Sequence, residues 1–157
     1  MSAKAVVSAL RERGFVLAAA ESCTAGLISA AITDVAGASA VFDRGFVTYS
    51  NSAKSQMLDV PASLINAHGA VSEEVAGTMA QGALVNSDAQ IAVSVTGIAG
   101  PGGSDYKPEG LVCFGIAIEG GGTKTETVEF GAIGRANVRQ RTVKHALSIV
   151  LKNLNTI

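Results

Sequence analysis

The feature that most constrains the fold is an apolar run that passes through polar residues into a helical pattern. Residues 15–20 are short and continuously apolar, which is typical of a buried strand. Ser22 or Thr24 is then a suitable helix N-cap, and apolar residues recur at helical spacing over residues 27–32. The stretch predicts a strand, a corner and a helix, with a side chain held beside free helix N–H groups that favour anions.

Strand and helix patterns alternate along the rest of the chain. We predict helices at residues 3–13, 24–35, from about 51, 61–67, from 72 and after 134, and strands at residues 15–20, 40–50, 91–95, 111–118 and 123–130. Residues 119–122 (Glu-Gly-Gly-Gly) join the last two strands and are a hairpin signal. The order predicts one domain over residues 1–157, a layered α/β/α fold with a mixed, mostly parallel sheet and a late β-hairpin.

Composition narrows the possible partners. The 157 residues are 48% apolar and 16% charged, enough to bury a core without disulfides or metal. A net charge of -1 argues against nucleic acid or an anionic membrane as partner, and no stretch reaches the ~20 apolar residues of a membrane span. Cys23 and Cys113 lie far apart in sequence, which favours a cytoplasmic protein with reduced thiols. We therefore expect a small-molecule ligand held at a local site.

Three predicted corners follow apolar strands, at Ser22, at residues 49–54 and at residues 96–103. If the three strands run parallel, these corners converge beyond their carboxyl ends. The third corner is glycine-rich and resembles a P-loop, but Gly103 stands where the lysine is required. What remains is an N–H-rich loop that can approach a ligand closely, including a phosphate.

A nucleophile at Ser22 needs a base. His145 falls on the opposite side of the last helix from the apolar stripe, which predicts a solvated residue, and His68 falls in a predicted turn. Lys54 lies in the first turn of a predicted helix, where the helix dipole and burial would lower its pKa until it could accept a serine proton. Tyr49 could relay that proton or hold the lysine.

Cys23 and a cluster of arginines each have two possible roles. Cys23 is a rival nucleophile, although a thiol at a helix start is also a common packing residue. Arg135, Arg139 and Arg141 cluster at the start of the last helix, where they would suit a phosphate monoester or form a solvated charged face. Neither the Ser-x-x-Lys nor the Gly-x-Ser-x-Gly motif occurs at Ser22, and no residue grouping has zinc-ligand spacing.

Four distinctive strings nevertheless occur in order: AESCTAG at residues 20–26, GFVTYSN at 45–51, HGAVSE at 68–73 and TGIAGP at 96–101. Together they closely resemble the CinA C-terminal domain family, the nicotinamide-nucleotide amidases, over nearly the whole chain. Members hydrolyse the carboxamide of nicotinamide mononucleotide, giving nicotinate mononucleotide and ammonia in pyridine-nucleotide recycling.

The resemblance implies that Ser22 is the nucleophile, that Lys54 is the general base and that Tyr49 assists, without metal or organic cofactor. We expect substrate contacts from Glu21, Thr24, Asn51, Thr96, Gly97, Ala99, Gly100 and Arg135. Two other functions stay open: a catalytically silent module that binds pyridine nucleotides, and a thiol enzyme that uses Cys23. The exposed edge of the late hairpin also leads us to expect a homo-oligomer.

Overall fold

The computed structural model describes residues 2–157 and contains five strands and six α-helices in that part of the chain. The helices are α1 (Ala3–Arg13), α2 (Leu27–Thr33), α3 (Asn51–Leu58), α4 (Ala62–His68), α5 (Glu73–Val85) and α6 (Arg135–Thr156). The strands are β1 (Leu17–Glu21), β2 (Phe42–Val47), β3 (Ile91–Gly97), β4 (Leu111–Ile118) and β5 (Gly122–Glu129). Within residues 2–157, no helix has the length and apolar character to cross a membrane.

The strands form one mixed sheet in the order β2-β1-β3-β4-β5. β1 pairs parallel with both β2 and β3, whereas β4 pairs antiparallel with β3 and β5. Four strands therefore share one direction and β4 alone is reversed. The predicted α/β fold with a mixed, mostly parallel sheet and a late hairpin is confirmed. β2 and β5 are the edge strands, and self-association through the hairpin stays a prediction.

The sheet lies between two layers of helices because the side chains of its strands alternate between two cores. Leu17 and Ala19 of β1 join the core formed with α1, α2 and α6. Ala18 and Ala20 join the core formed with α3, α4 and α5. Every residue of β1 is buried, and its small side chains leave room for both layers close to the sheet.

The chain between β1 and α2 departs from the sequence prediction. The helix predicted from residue 24 begins only at Leu27, because Ala25 and Gly26 have φ values of 47° and 101° in the left-handed region. The N-cap of α2 is Gly26, so the predicted capping by Ser22 or Thr24 is wrong. Ser22 therefore sits in a separate turn between the strand and the helix.

The parallel register of β1, β2 and β3 brings their carboxyl ends to one edge of the sheet. Glu21, the last residue of β1, pairs with Val47 of β2 and Val95 of β3. Just beyond, the Ser22 N–H donates to the Val95 carbonyl at 3.1 Å and the Thr48 N–H donates to the Glu21 carbonyl at 2.9 Å. The three corners predicted from sequence consequently lie side by side.

Gly82 of α5 supplies a first test, because a Cβ at this position would overlap the backbone carbonyl of Leu58 at the end of α3. We expect Gly82→Ala to lower the free energy of unfolding by about 1–3 kcal/mol, measured by urea denaturation. Gly77→Ala in the same helix is the control, because its Cβ would meet only threonine methyl groups, the nearer at 3.1 Å. Equal losses in the two variants would contradict the close α3–α5 approach.

Candidate active site

A pocket of about 250 Å³ opens where the three corners meet. It contains eight of the eleven residues predicted for the site: Ser22, Tyr49, Asn51, Lys54, Thr96, Gly97, Ala99 and Arg135. Cys23, Ala70 and Val71 complete its lining. The residues predicted as nucleophile and base therefore share one cavity, although they lie on different elements.

Lys54 reaches the pocket from the first turn of α3. The Ser50 hydroxyl caps this helix by accepting from the Ala53 N–H at 3.0 Å, which fixes where the first turn begins. The Lys54 side chain is almost fully buried, at 1% exposure. Burial lowers the pKa of its amine from the ordinary 10.5, and a negative charge on Cys23 would act in the opposite direction. Burial therefore shifts the amine towards its neutral form.

The amine contacts three oxygen atoms. Nζ lies 3.0 Å from Oγ of Ser22 and 3.1 Å from each of the carbonyl oxygens of Thr48 and Tyr49. Carbonyl oxygens only accept hydrogen bonds, so in the neutral amine they take both N–H groups. The lone pair is then left for the Ser22 hydroxyl. In the charged form the third N–H donates to Oγ instead.

Glu21 anchors the turn from behind the pocket. Its carboxylate is fully buried and accepts four hydrogen bonds, from the Thr24 and Ser29 hydroxyls and from the backbone N–H groups of Ile28 and Ser29, at 2.7–3.0 Å. The carboxylate therefore caps the N-terminus of α2, although Glu21 itself belongs to β1. Glu21 and Thr24, which is also fully buried, are absent from the pocket lining. Contact of the Glu21 and Thr24 side chains with substrate is therefore not supported by these positions.

The sequence predicts that the first N–H groups of the helix stabilise an oxyanion, and the bonds to Glu21 contradict this. The first N–H groups of α2 are already bound to Glu21, so they are not free for a reacting oxygen. In the turn itself, the N–H groups of Cys23 and Thr24 donate to no other residue within residues 2–157. These two donors, adjacent to Ser22, are the better placed candidates.

Cys23 is a poor nucleophile in this setting. Its side chain is 6% exposed, and burial raises the pKa of the thiol to about 11. The thiol is therefore protonated at neutral pH, whereas thiol chemistry needs the thiolate. This favours the packing role over the thiol-enzyme alternative.

Tyr49 and Arg135 meet at the rim of the pocket. The Tyr49 side chain is 62% exposed, and its hydroxyl accepts from Nη2 of Arg135 at 3.2 Å. Nη1 of Arg135 donates to the Gly100 carbonyl at 2.5 Å, which places Gly100 at the rim although it does not line the cavity. Tyr49 thus holds Lys54 through its backbone carbonyl, while its ring is free to meet a ligand.

The third corner supports one wall of the pocket, formed by Ala70 and Val71, that is not predicted from the sequence. The Thr96 hydroxyl donates to the Ala70 carbonyl at 2.9 Å and so holds Ala70 and Val71 against the cavity. Gly97 is required by packing, because a Cβ there would lie 2.6 Å from the Val112 side chain. Ala70 and Val71 lie within the distinctive string at residues 68–73, and this string was the sequence signal that could have identified them.

The three arginines of the predicted cluster separate in space. Arg135 lies at the rim, whereas Arg139 donates from Nε to the Cys23 carbonyl at 3.0 Å and from Nη2 to the Thr24 carbonyl at 3.3 Å. Arg141 faces a different cleft, together with Asn137, Gln140 and Lys144. Only Arg135 is therefore available to a ligand in the pocket.

Neither histidine reaches the site. His145, for which the sequence predicts a solvated side chain, is partly exposed: its ring centroid lies 4.6 Å from that of Phe114, and Nε2 is 3.0 Å from a Glu126 carboxylate oxygen. His68 lies in the last turn of α4, 3.7 Å from a Glu74 carboxylate oxygen. Within residues 2–157, no group of three His, Cys, Asp or Glu side chains could hold a metal ion.

The Glu21 cap can be tested by its effect on stability. We expect Glu21→Gln to lower the free energy of unfolding by about 1–3 kcal/mol, because an amide NH₂ would oppose a buried donor. Glu12→Gln on the exposed face of α1 is the matched control and should change stability little. Chemical denaturation measures both, and a silent Glu21→Gln would contradict the capping role.

Known proteins resemble the chain in sequence and fold. The CinA C-terminal domain profile matches residues 1–154. A CinA-like protein of Chlorobium phaeobacteroides is 49% identical over 96% of this chain, and the chain spans only 37% of that protein's length. The nicotinamide-nucleotide amidohydrolase PncC of Enterobacter agglomerans is 49% identical over 92% of this chain and 88% of its own length.

Solved structures agree with the sequence comparisons. The crystal structure of the competence/damage inducible protein CihA from Agrobacterium tumefaciens superposes with a TM-score of 0.93 at 47% identity, over 98% of this chain and 93% of that one. The competence damage-inducible protein A of Klebsiella pneumoniae superposes with a TM-score of 0.93 at 38% identity. On its fold and its profile match, the chain belongs to the CinA C-terminal domain family.

Proposed function

We propose that the chain is an amidohydrolase that converts nicotinamide mononucleotide to nicotinate mononucleotide and ammonia with Ser22 and Lys54. The observation that carries this proposal is the buried amine of Lys54, 3.0 Å from the Ser22 hydroxyl. The name of the PncC relative, which spans nearly the same length, supports the substrate and the reaction.

Acylation begins with a proton transfer. The Ser22 hydroxyl gives its proton to the Lys54 amine, and Oγ bonds to the carboxamide carbon. The oxygen of the carboxamide then carries a negative charge, and the N–H groups of Cys23 and Thr24 are the donors placed to stabilise it. Lys54 returns the proton to the departing nitrogen as the C–N bond breaks, so ammonia leaves and an ester on Ser22 remains.

Deacylation uses the same groups in the reverse order. Lys54, neutral again, takes a proton from a water molecule whose oxygen attacks the ester carbon. The proton returns to Oγ as the ester bond breaks, and nicotinate mononucleotide is released. The two carbonyl oxygens that hold Nζ keep the amine in place through both half-reactions.

The rim of the pocket fits the far end of a nucleotide. The Arg135 guanidinium is exposed there, and its present partners, the Tyr49 hydroxyl and the Gly100 carbonyl, are neutral. A phosphate monoester would offer this guanidinium two charged oxygen atoms. Arg135 is accordingly assigned to the phosphate and the inner cavity to the carboxamide.

A silent binding module is the main alternative. Such a module would gain nothing from a lysine desolvated beside a serine, because burying an amine costs free energy unless the group is used. The Lys54–Ser22 contact therefore favours the enzyme. The thiol alternative is weaker still, since the Cys23 thiol is protonated at neutral pH.

Ammonia release separates these functions. With nicotinamide mononucleotide, we expect Ser22→Ala and Lys54→Met to lose at least about 100-fold in kcat, because each removes the nucleophile or its base. Cys23→Ala should stay within about threefold of wild type, since the thiol only packs in the turn. Binding without ammonia from the wild type would favour the silent module, and activity lost only in Cys23→Ala would assign the reaction to the thiol.

The pH profile tests the state of the lysine. Because the neutral amine is the base, kcat/KM should rise with pH through a single deprotonation whose midpoint lies below 10.5, the ordinary lysine pKa. The rise should persist in Cys23→Ala with its midpoint still below 10.5, which excludes the thiol as the titrating group. A midpoint at or above 10.5, or a rise that disappears in Cys23→Ala, would contradict Lys54 as the base.

A further inference from the structure

Arg139 has partners unlike those of the other arginines of α6. It lies one helical turn after Arg135, yet it donates to the Cys23 and Thr24 carbonyls instead of reaching the rim. The side chain is partly buried, and it forms no ion pair with a carboxylate within residues 2–157. Its guanidinium thus binds the Cys23–Thr24 and Thr24–Ala25 peptide groups.

These contacts fix the direction of the Thr24 N–H. The peptide between Cys23 and Thr24 is trans, so its carbonyl and its N–H point to opposite sides. With the Cys23 carbonyl held on Arg139, the Thr24 N–H is directed away from the guanidinium. The next peptide is fixed as well, because the Thr24 carbonyl binds Arg139 and the Ala25 N–H donates to the Ser22 carbonyl at 3.2 Å.

The Thr24 N–H is an unusual group to leave without a partner. Thr24 is fully buried, and its N–H donates to no acceptor within residues 2–157. Buried backbone donors are almost always paired, since an unpaired one costs free energy. An oxygen atom of a substrate bonded to Ser22 would supply the missing acceptor. The N–H of the neighbouring Cys23 also donates to no other residue within residues 2–157, and Cys23 lines the pocket.

We propose that Arg139 is a positioning residue, which aims the N–H group of Thr24 at the oxygen of the reacting carboxamide. Arg139 does not touch substrate and acts only through the two carbonyls it holds. This role rests on the amidase function proposed above. Its loss should slow the chemical step and leave substrate affinity unchanged, because the oxygen is charged only after Ser22 attacks.

The test uses Arg139→Gln, Arg139→Lys and the control Arg141→Gln, whose native side chain faces a separate cleft. Turnover of nicotinamide mononucleotide and the rate of Ser22 labelling by a fluorophosphonate are measured in each. In Arg139→Gln, kcat and the labelling rate should both fall by about 10- to 100-fold with KM within about threefold of wild type. Arg139→Lys should be intermediate, since an ammonium lacks the forked donors, and Arg141→Gln should match wild type.

Labelling separates this role from the proposed function. A wild type that releases no ammonia but labels at Ser22 refutes the amidase alone, and the labelling rates of the variants still decide the role of Arg139. Unlabelled wild-type Ser22, or unchanged labelling in Arg139→Gln, overturns the positioning role. A raised KM at constant kcat also overturns it, because Arg139 would then bind substrate. If Arg139→Gln does not fold, as judged by circular dichroism, Arg139→Lys carries the same comparison.

Discussion

The site depends on one physical constraint, the burial of the Lys54 amine against two backbone carbonyls. Burial disfavours the ammonium, and the carbonyls of Thr48 and Tyr49 take the N–H groups of the neutral amine. The remaining lone pair has one partner that can donate, the Ser22 hydroxyl. A serine with no suitable histidine can therefore be activated, provided that the fold holds these atoms together.

The architecture meets that condition through the parallel half of the sheet. β1, β2 and β3 end at one edge, so residues that follow separate strands become neighbours. The turn after β1 is held from two sides. On one side the Glu21 carboxylate of β1 bonds to the start of α2, and on the other Arg139 of α6 bonds to the Cys23 and Thr24 carbonyls. Ser22, the proposed nucleophile, therefore lies on a turn that is restricted to few conformations, as a preorganised site requires.

Much of this arrangement could be predicted from sequence, because apolar runs that end in polar residues mark strand ends. Ser22 and Lys54 follow such runs, and they lie close together as long as the strands before them run parallel. The role of Glu21 could not be predicted, since its partners on α2 lie seven and eight residues further on, across two left-handed residues. Arg139 lies 116 residues from the Cys23 carbonyl that it binds, and only the packing of α6 reveals that contact.

The most direct test of the account is the protonation of Lys54 in the folded protein. Lysine side chains labelled with ¹³C and ¹⁵N can be titrated by NMR, and Lys54→Met identifies the Lys54 signal by its absence. We predict that Lys54 loses its proton at a pH below 10.5, the ordinary lysine pKa, because its amine is desolvated. A Lys54 signal that titrates at or above 10.5 would contradict a neutral base at Ser22.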